Sequence, residues 1–118
     1  MEKPDQVFWN SVKRDPMGNP LFSGCAMYRK DGAICYEFVS RESESGGPSF
    51  DEFGGQFAVE DYAKAIDELQ KTGKCSLLGS YSARVDMKRE GVEDVEMRFH
   101  GEKTAVISCK LSQLQLKN

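Results

Sequence analysis

Residues 25–38, CAMYRKDGAICYEF, contain the clearest structural signal in the chain. Asp31-Gly32 stands between two apolar runs, and this dipeptide is the strongest short-range signal for a two-residue β-turn. Both central residues of a type I′ turn need positive φ, which Asp-Gly tolerates. The sequence therefore predicts a hairpin over residues 21–40, in which Lys30 faces Ala33 across the two strands.

The same register separates the two cysteines of the hairpin. Side chains alternate along a strand, so Cys25 and Cys35 point to opposite faces. A register shifted by one residue puts both on one face, but about 13 Å apart along the ladder, whereas a disulfide needs Cα atoms within about 7 Å. Cys75 and Cys109 are distant in sequence, no Cys-x-x-Cys pair occurs, and His100 is the only histidine. Buried free thiols are favoured over a disulfide or a zinc site, so we expect no metal and no cofactor.

Downstream, the best helical pattern covers residues 59–72, VEDYAKAIDELQKT. Acidic residues open it, Lys71 lies in its last turn and Gly73 follows as a natural C′ residue. Helical spacing places one apolar stripe on a single face. The stripe consists of Val59, Tyr62, Ala63, Ile66 and Leu69.

After the helix, the alternating patterns of residues 80–87, 94–100 and 104–111 predict three strands in a meander. The alternation places the apolar side chains of the three strands on the side that faces the core. These are Val85, Met87, Val95, Met97, Phe99, Ala105, Ile107, Cys109 and Leu111. Residues 114–117, LQLK, extend or flank the last strand. Residues 5–14 fit either a short helix or a strand.

Between hairpin and helix, the polar residues 40–49 predict a flexible loop. Ser49 and Glu52 then match a capping box for one helical turn, which Gly54-Gly55 ends. Strands interrupted by one helix indicate the α+β class. We expect an antiparallel sheet of about five strands, built from the N-terminal hairpin and the C-terminal meander, with the main helix packed on one face.

The chain of 118 residues suits a single globular domain, residues 1–118. No apolar run approaches the ~20 residues that a membrane-spanning helix needs. The start, MEKPDQVFWNSVKRD, lacks the apolar stretch of a signal peptide. With free thiols, these features predict a cytoplasmic protein that does not contact a membrane.

Catalytic motifs are missing from the sequence. The nearest string to a G-x-S-x-G elbow is GSYSA at 79–83, which has a tyrosine where the nucleophile belongs. The glycine pairs are not followed by the Lys-Ser/Thr of a P-loop. His100 is predicted to point outward at a strand end, and Cys109 points away from it. We therefore expect a protein that is not an enzyme, without catalytic residues, although an enzyme or a small-ligand-binding protein stays an alternative.

The net charge of −3 conceals an asymmetry. Residues 42–68 hold eight acids and one base, which gives −7, while the other residues hold 11 acids and 15 bases, which gives +4. The simpler interpretation is that these acids keep an exposed loop and helix solvated. The alternative is an acidic binding face with aromatic anchors, which would steer a basic protein partner toward it.

The residues of that predicted face are Phe50, Asp51, Glu52, Phe53, Glu60, Asp61, Asp67 and Glu68. Nucleic acid is disfavoured as a partner because the bases are scattered rather than clustered. By size, charge and lack of catalytic motifs, the chain resembles bacterial immunity and antitoxin proteins as a class. That resemblance implies an inhibitor that caps a toxic, often basic, enzyme.

A rival hypothesis is a structural or assembly subunit. An exposed edge strand, taken as residues 111–116, would pair with a second copy of the chain in a homodimer.

Overall fold

A computed structural model describes residues 3–44, 47–79 and 83–118. The described elements form two four-strand antiparallel sheets, one main helix and a short second helix. This confirms the α+β class, but the expected single sheet of about five strands is wrong. The first sheet has the order β1 (Gln6–Asn10), β2 (Gly24–Lys30), β3 (Ala33–Glu44), β4 (Gly47–Ala58). Helix α1 (Val59–Thr72) connects the first sheet to the second. The second sheet has the order β5 (Lys74–Leu78), β6 (Arg84–Arg89), β7 (Asp94–His100), β8 (Thr104–Lys110). The short helix α2 (Leu111–Leu114) follows β8 in the chain.

The β2–β3 hairpin has the predicted register. Lys30 pairs with Ala33, and the turn residues Asp31 and Gly32 have φ values of 48° and 80°. Positive φ at both positions is the type I′ geometry that the dipeptide predicts. Cys25 pairs with Phe38 on the core side.

The structure of β4 contradicts two predictions. Residues 40–44 and 47–49 belong to β3 and β4, not to a flexible loop, and the capping-box turn at 49–52 is strand. Positions 45 and 46 of the predicted loop lie outside the described residues. The Gly54-Gly55 pair does not end a helix, because Gly55 lies under the ring of Tyr36, whose hydroxyl is 2.6 Å from where a Cβ of residue 55 would stand. Glycine is needed there for close approach, which a sequence pattern does not distinguish from termination.

Helix α1 begins and ends where predicted, at Val59 and Thr72. Gly73 has φ 81° and its N–H donates to the carbonyl of Leu69 at 2.9 Å, which closes the helix in the left-handed conformation that glycine favours. Tyr62, Ile66 and Leu69 are buried as expected. Ala65 is also buried, whereas the predicted Ala63 is exposed.

In the second sheet, β7 matches its prediction and β8 ends one residue early, at Lys110. Strand β6 begins at Arg84, and positions 80–82 of its predicted span lie outside the described residues. Strand β5 was not predicted. The inward side chains are confirmed: Val85, Met87, Val95, Met97 and Phe99 are buried, while Ala105, Ile107 and Cys109 are half-buried against the core.

At the two ends of the chain, the structure resolves one alternative and contradicts one prediction. Of the two alternatives for residues 5–14, the strand is the one observed: residues 6–10 form β1, with a bulge between Val7 and Trp9. Residues 111–114 form helix α2, so the expected edge strand at 111–116 is wrong. Leu111 and Leu114 are buried, and the hydroxyl of Tyr62 donates to the carbonyl of Leu114 at 2.5 Å.

One core joins both sheets. The ring of Phe99 from β7 lies 4.9 Å from that of Tyr36 and 5.0 Å from that of Phe38, both from β3. Helix α1 packs mainly beside β5 and contributes Tyr62, whose ring lies 5.6 Å from that of Phe8 in β1. Neither described helix is long and apolar enough to cross a membrane.

Candidate functional site

The residues predicted for an acidic binding face fall on two elements. Phe50, Asp51, Glu52 and Phe53 lie on β4, and the other four lie on α1. From Asp51 to the end of β4 the chain runs about 23 Å at the usual rise of a strand. This exceeds the Debye length of about 8 Å at physiological ionic strength. The structure therefore does not gather the eight residues into one continuous patch.

Several of these acids have basic partners within the chain. Asp51 forms an ion pair with Lys103, which also contacts Glu42 at 3.0 Å. Glu52 pairs with Arg14 at 2.6 Å. Lys103 and Arg14 lie outside the acidic segment in sequence, so tertiary folding neutralises part of an excess that the linear count shows as −7.

On α1, Asp67 pairs with Lys71 at 2.8 Å, one helical turn later. Glu60, Asp61 and Glu68 are exposed, and no ion pair within 4.0 Å involves them among the described residues. These three carboxylates are the part of the predicted face that stays available to an external cation.

Phe53 and Phe50 differ in their surroundings. Phe53 stacks on Phe38, with ring centroids 4.9 Å apart and an interplanar angle of 14°, and packs against the core. Phe50 is half-buried opposite Arg41 of β3. Phe53 therefore packs mainly against the core and stabilises β4. The part of its ring that stays exposed faces a depression beside the strand.

That depression, the aromatic cleft, has a volume of about 270 Å³ and lies between the edge of β4 and the ends of β6 and β7. The rings beneath it form a continuous cluster: Phe38 stacks on Phe53 and meets Phe99 edge to face, and Phe99 contacts Tyr36 at a tilt. The lining residues are Tyr36, Glu52, Phe53, Gly54, Ala83, Phe99, His100, Gly101 and Glu102.

The chemistry of the aromatic cleft favours a cation. Of the lining rings, that of Phe53 is partly exposed, whereas those of Tyr36 and Phe99 are buried. The face of an aromatic ring carries negative potential, so an ammonium or guanidinium group could bind over Phe53. Glu52 and Glu102 add carboxylates, and Glu102 has no ion pair among the described residues. Burial raises the pKa of the Tyr36 phenol, so that hydroxyl stays protonated at neutral pH and can donate or accept a hydrogen bond.

A second depression, the helix groove, lies further along the same strand and has a volume of about 360 Å³. Asp61 of α1 stands beside Leu78, whose surface is 68% exposed. The lining residues are Gly32, Ala33, Gln56, Phe57, Ala58, Asp61, Leu78 and Gly79. The two depressions are about four residues of β4 apart, or roughly 13 Å.

Together they make the β4 edge, which we define as residues 52–58 with the aromatic cleft and the helix groove. Among the described strands, β3 is the only one that pairs with β4. An apolar surface with a carboxylate beside it at each of two places is suited to two basic side chains of one partner.

His100, the one histidine, belongs to a hydrogen-bonded row on the outer face of the second sheet. Its Nε2 lies 2.9 Å from Oδ2 of Asp86, which also accepts bonds from Ser76 at 2.7 Å and Arg84 at 2.9 Å. The bond from Ser76 comes first among the causes that lower the pKa of Asp86. The carboxylate stands between the serine and the histidine, so the imidazole does not activate the hydroxyl as a nucleophilic triad requires.

All four cysteines are free thiols. Burial raises the pKa of Cys75 and of Cys109 to about 11, so both are protonated at neutral pH and weak as nucleophiles or metal ligands. Within the part of the chain that the structure describes, no three His, Cys, Asp or Glu side chains are grouped so that they could hold a metal ion.

Sequence reasoning missed Tyr36, Phe99, Glu102 and Leu78 as residues of this site. Tyr36 and Phe99 follow the alternation of core residues, and the pattern contains no sign that their ring edges reach a cleft. Glu102 lies in a turn, where an acid is ordinary. Leu78 ends a five-residue strand and is 68% exposed, but a single exposed leucine is ordinary on a protein surface, so it too gives no sequence signal.

No protein-family model, curated protein or solved structure matches this chain.

Proposed function

We propose that the protein is a small non-catalytic binding protein, of the inhibitor or immunity kind, that holds a basic partner protein at the β4 edge. One observation carries the proposal: each depression holds an exposed or partly exposed apolar side chain and a carboxylate that has no ion pair among the described residues. These are Phe53 with Glu102 in the aromatic cleft and Leu78 with Asp61 in the helix groove. A lysine or arginine of the partner would place its stem on the apolar surface and its charge at the carboxylate.

This refines the predicted acidic face. Asp51 and Asp67 form ion pairs with Lys103 and Lys71. They therefore do not contact the partner directly and contribute only to the negative electrostatic field that attracts it. Asp61 and Glu102 take the central part. Glu52 belongs to the aromatic cleft but already binds Arg14, so a partner would share or displace that contact.

The test is affinity capture from the native host's lysate with three baits. These are the wild type, a variant with Asp61→Lys and Glu102→Lys, and a control with Glu68→Lys and Glu90→Lys, which changes the net charge by the same amount outside both depressions. We expect one stoichiometric basic partner with the wild type and the control, and none with the first variant. With the purified partner, the first variant should associate at least about tenfold more slowly than the control, and added salt should weaken wild-type binding.

Equal loss of the partner by both variants would show that overall charge, not the β4 edge, governs binding. A partner held equally by all three baits would place the interface elsewhere. Circular dichroism of each bait checks that the substitutions leave the fold intact.

A small organic cation is a second candidate ligand, favoured by the enclosure of the aromatic cleft at about 270 Å³. This is close to the lower end of the range for small-molecule sites, which begins at about 300 Å³. A small amine retained by the purified protein in native mass spectrometry, and lost with Glu102→Lys, would favour this alternative.

A further inference from the structure

Strand β8 lies at one edge of the second sheet. Among the described elements, it pairs with β7 alone. Its side chains alternate between exposed and half-buried positions along the whole strand. The half-buried row, Ala105, Ile107 and Cys109, packs against the core from one side only. The exposed row includes Val106, half of whose surface is open to solvent.

The other three edges carry features that hinder strand addition. Strand β1 has a bulge at Val7–Trp9, and its first residue, Gln6, is bonded to the carbonyl of Gln115 and the N–H of Lys117. Bulges and covering segments are common ways in which proteins block an edge.

Strand β5 is only five residues long and packs beside α1. Strand β4 carries the adjacent acids Asp51 and Glu52, so pairing with an identical strand would bring like charges together. Strand β8 has no bulge in its pairing with β7, and its seven residues, TAVISCK, contain no proline and no charge before Lys110. The N–H of Lys110 donates to Oε1 of Gln113 at 2.9 Å, so an added strand would displace that side chain at the last pair.

The sequence of β8 is complementary to itself in antiparallel register. Around a two-fold axis at Ile107, each Val106 stands opposite the partner's Ser108, and each Ala105 stands opposite the partner's Cys109. The half-buried rows of the two copies then meet on one side and cover each other. Each Lys110 faces the partner's Thr104, so no like charges oppose one another.

We propose that the protein forms a two-fold homodimer through antiparallel pairing of β8 with β8 of a second copy, which makes one continuous eight-strand sheet. This inference is independent of the proposed function, because it uses none of the residues of the β4 edge. Strand β8 begins two residues after Glu102, and Lys103 joins its start to Asp51 of β4, so the two surfaces are neighbours at that end.

The experiment is sedimentation velocity over a wide range of protein concentration, with two variants altered at the same two exposed positions. Val106→Asp with Ser108→Asp sets like charges opposite each other at both symmetry-related pairs. Val106→Asp with Ser108→Lys sets opposite charges there. Within each protomer, β7 places Arg98 beside residue 106 and Glu96 beside residue 108, so the second variant also suits its own sheet.

We expect a monomer–dimer equilibrium for the wild type, a dimer dissociation constant raised about tenfold or more by the like-charge variant, and a dimer at least as tight as wild type for the opposite-charge variant. Thermal unfolding of the like-charge variant confirms that its monomer is folded. A wild type that stays monomeric at every concentration overturns the proposal. So does equal loss of the dimer in both variants, or a dimer unaffected by either, because positions 106 and 108 would then not face each other.

Discussion

At the scale of single residues, the contact between Gly55 and Tyr36 decides the shape of the candidate site. The ring of Tyr36 lies over Gly55, stacks on Phe57 at 5.3 Å and forms part of the floor of the aromatic cleft. A side chain at position 55 would occupy the space that the ring needs. The glycine thus explains why β4 carries a helix-breaking pair and why an aromatic floor reaches the strand edge.

We therefore predict that Gly55→Ala destabilises the protein. The added methyl would stand 2.6 Å from the Tyr36 hydroxyl and 2.9 Å from Cζ, so the buried ring must move. Overpacking of this kind costs about 1–3 kcal/mol in the free energy of unfolding, which urea denaturation measures. Gly91→Ala is the control, because only the Asp94 carboxylate lies near that position, at 3.8 Å, and a change within about 0.5 kcal/mol is expected. A Gly55 variant as stable as the control would show that the ring moves freely.

At the scale of elements, the last helix is held by one buried hydrogen bond to the first. Helix α2 is a single turn, too short to be stable alone. Its Leu114 is fully buried, and the carbonyl of that residue accepts the bond from Tyr62 of α1. Burial raises the pKa of Tyr62, so the donor stays protonated across the physiological range. Residues 111–114 are therefore a helix through tertiary contacts as well as local ones: Gln113 caps the N–H of Lys110, Glu93 accepts from the N–H groups of Leu111 and Ser112, and the buried leucines pack on the core.

Tyr62→Phe should cost about 1–3 kcal/mol in the free energy of unfolding, because the Leu114 carbonyl would be left buried without its donor. Hydrogen exchange should report faster opening of residues 111–114. The control is Tyr28→Phe, since Tyr28 is half-exposed and a change within about 0.5 kcal/mol is expected. Equal effects of the two substitutions, or unchanged exchange in α2, would contradict this account.

At the scale of the whole molecule, Phe99 joins the two sheets into one core. It contacts Tyr36 and Phe38 from the opposite sheet and is 1% exposed, which makes it the centre of the inter-sheet packing. A single core predicts that both sheets unfold together in one transition.

Phe99→Ala should lower the free energy of unfolding by about 3–5 kcal/mol and shift one common transition. Fluorescence of Trp9, the only tryptophan, reports on the first sheet, and far-UV circular dichroism reports on the whole chain, so their urea midpoints should coincide. Phe22→Ala is the matched control, because that ring is 59% exposed. Separate midpoints for the two probes would mean that the sheets unfold as independent units.

Elements that depend on residues close together in the chain could be predicted from the amino-acid sequence. Asp31-Gly32 set the β2–β3 register through its positive φ values, and the apolar stripe with Gly73 set the bounds of α1. The alternation of β7 assigned its buried face, because a strand with one side on a core repeats every two residues.

Features that depend on contacts between residues far apart in the chain could be seen only in the tertiary structure. Position 55 is glycine because the ring of Tyr36 occupies the space of a side chain. Residues 111–114 are fixed as a helix by Glu93, by Tyr62 and by burial of the two leucines. The acids of β4 are paired because Arg14 and Lys103 fold back to them. The aromatic cleft likewise exists because two sheets meet at Phe99. Each depends on which surfaces come together in three dimensions, and no local pattern of residues encodes that.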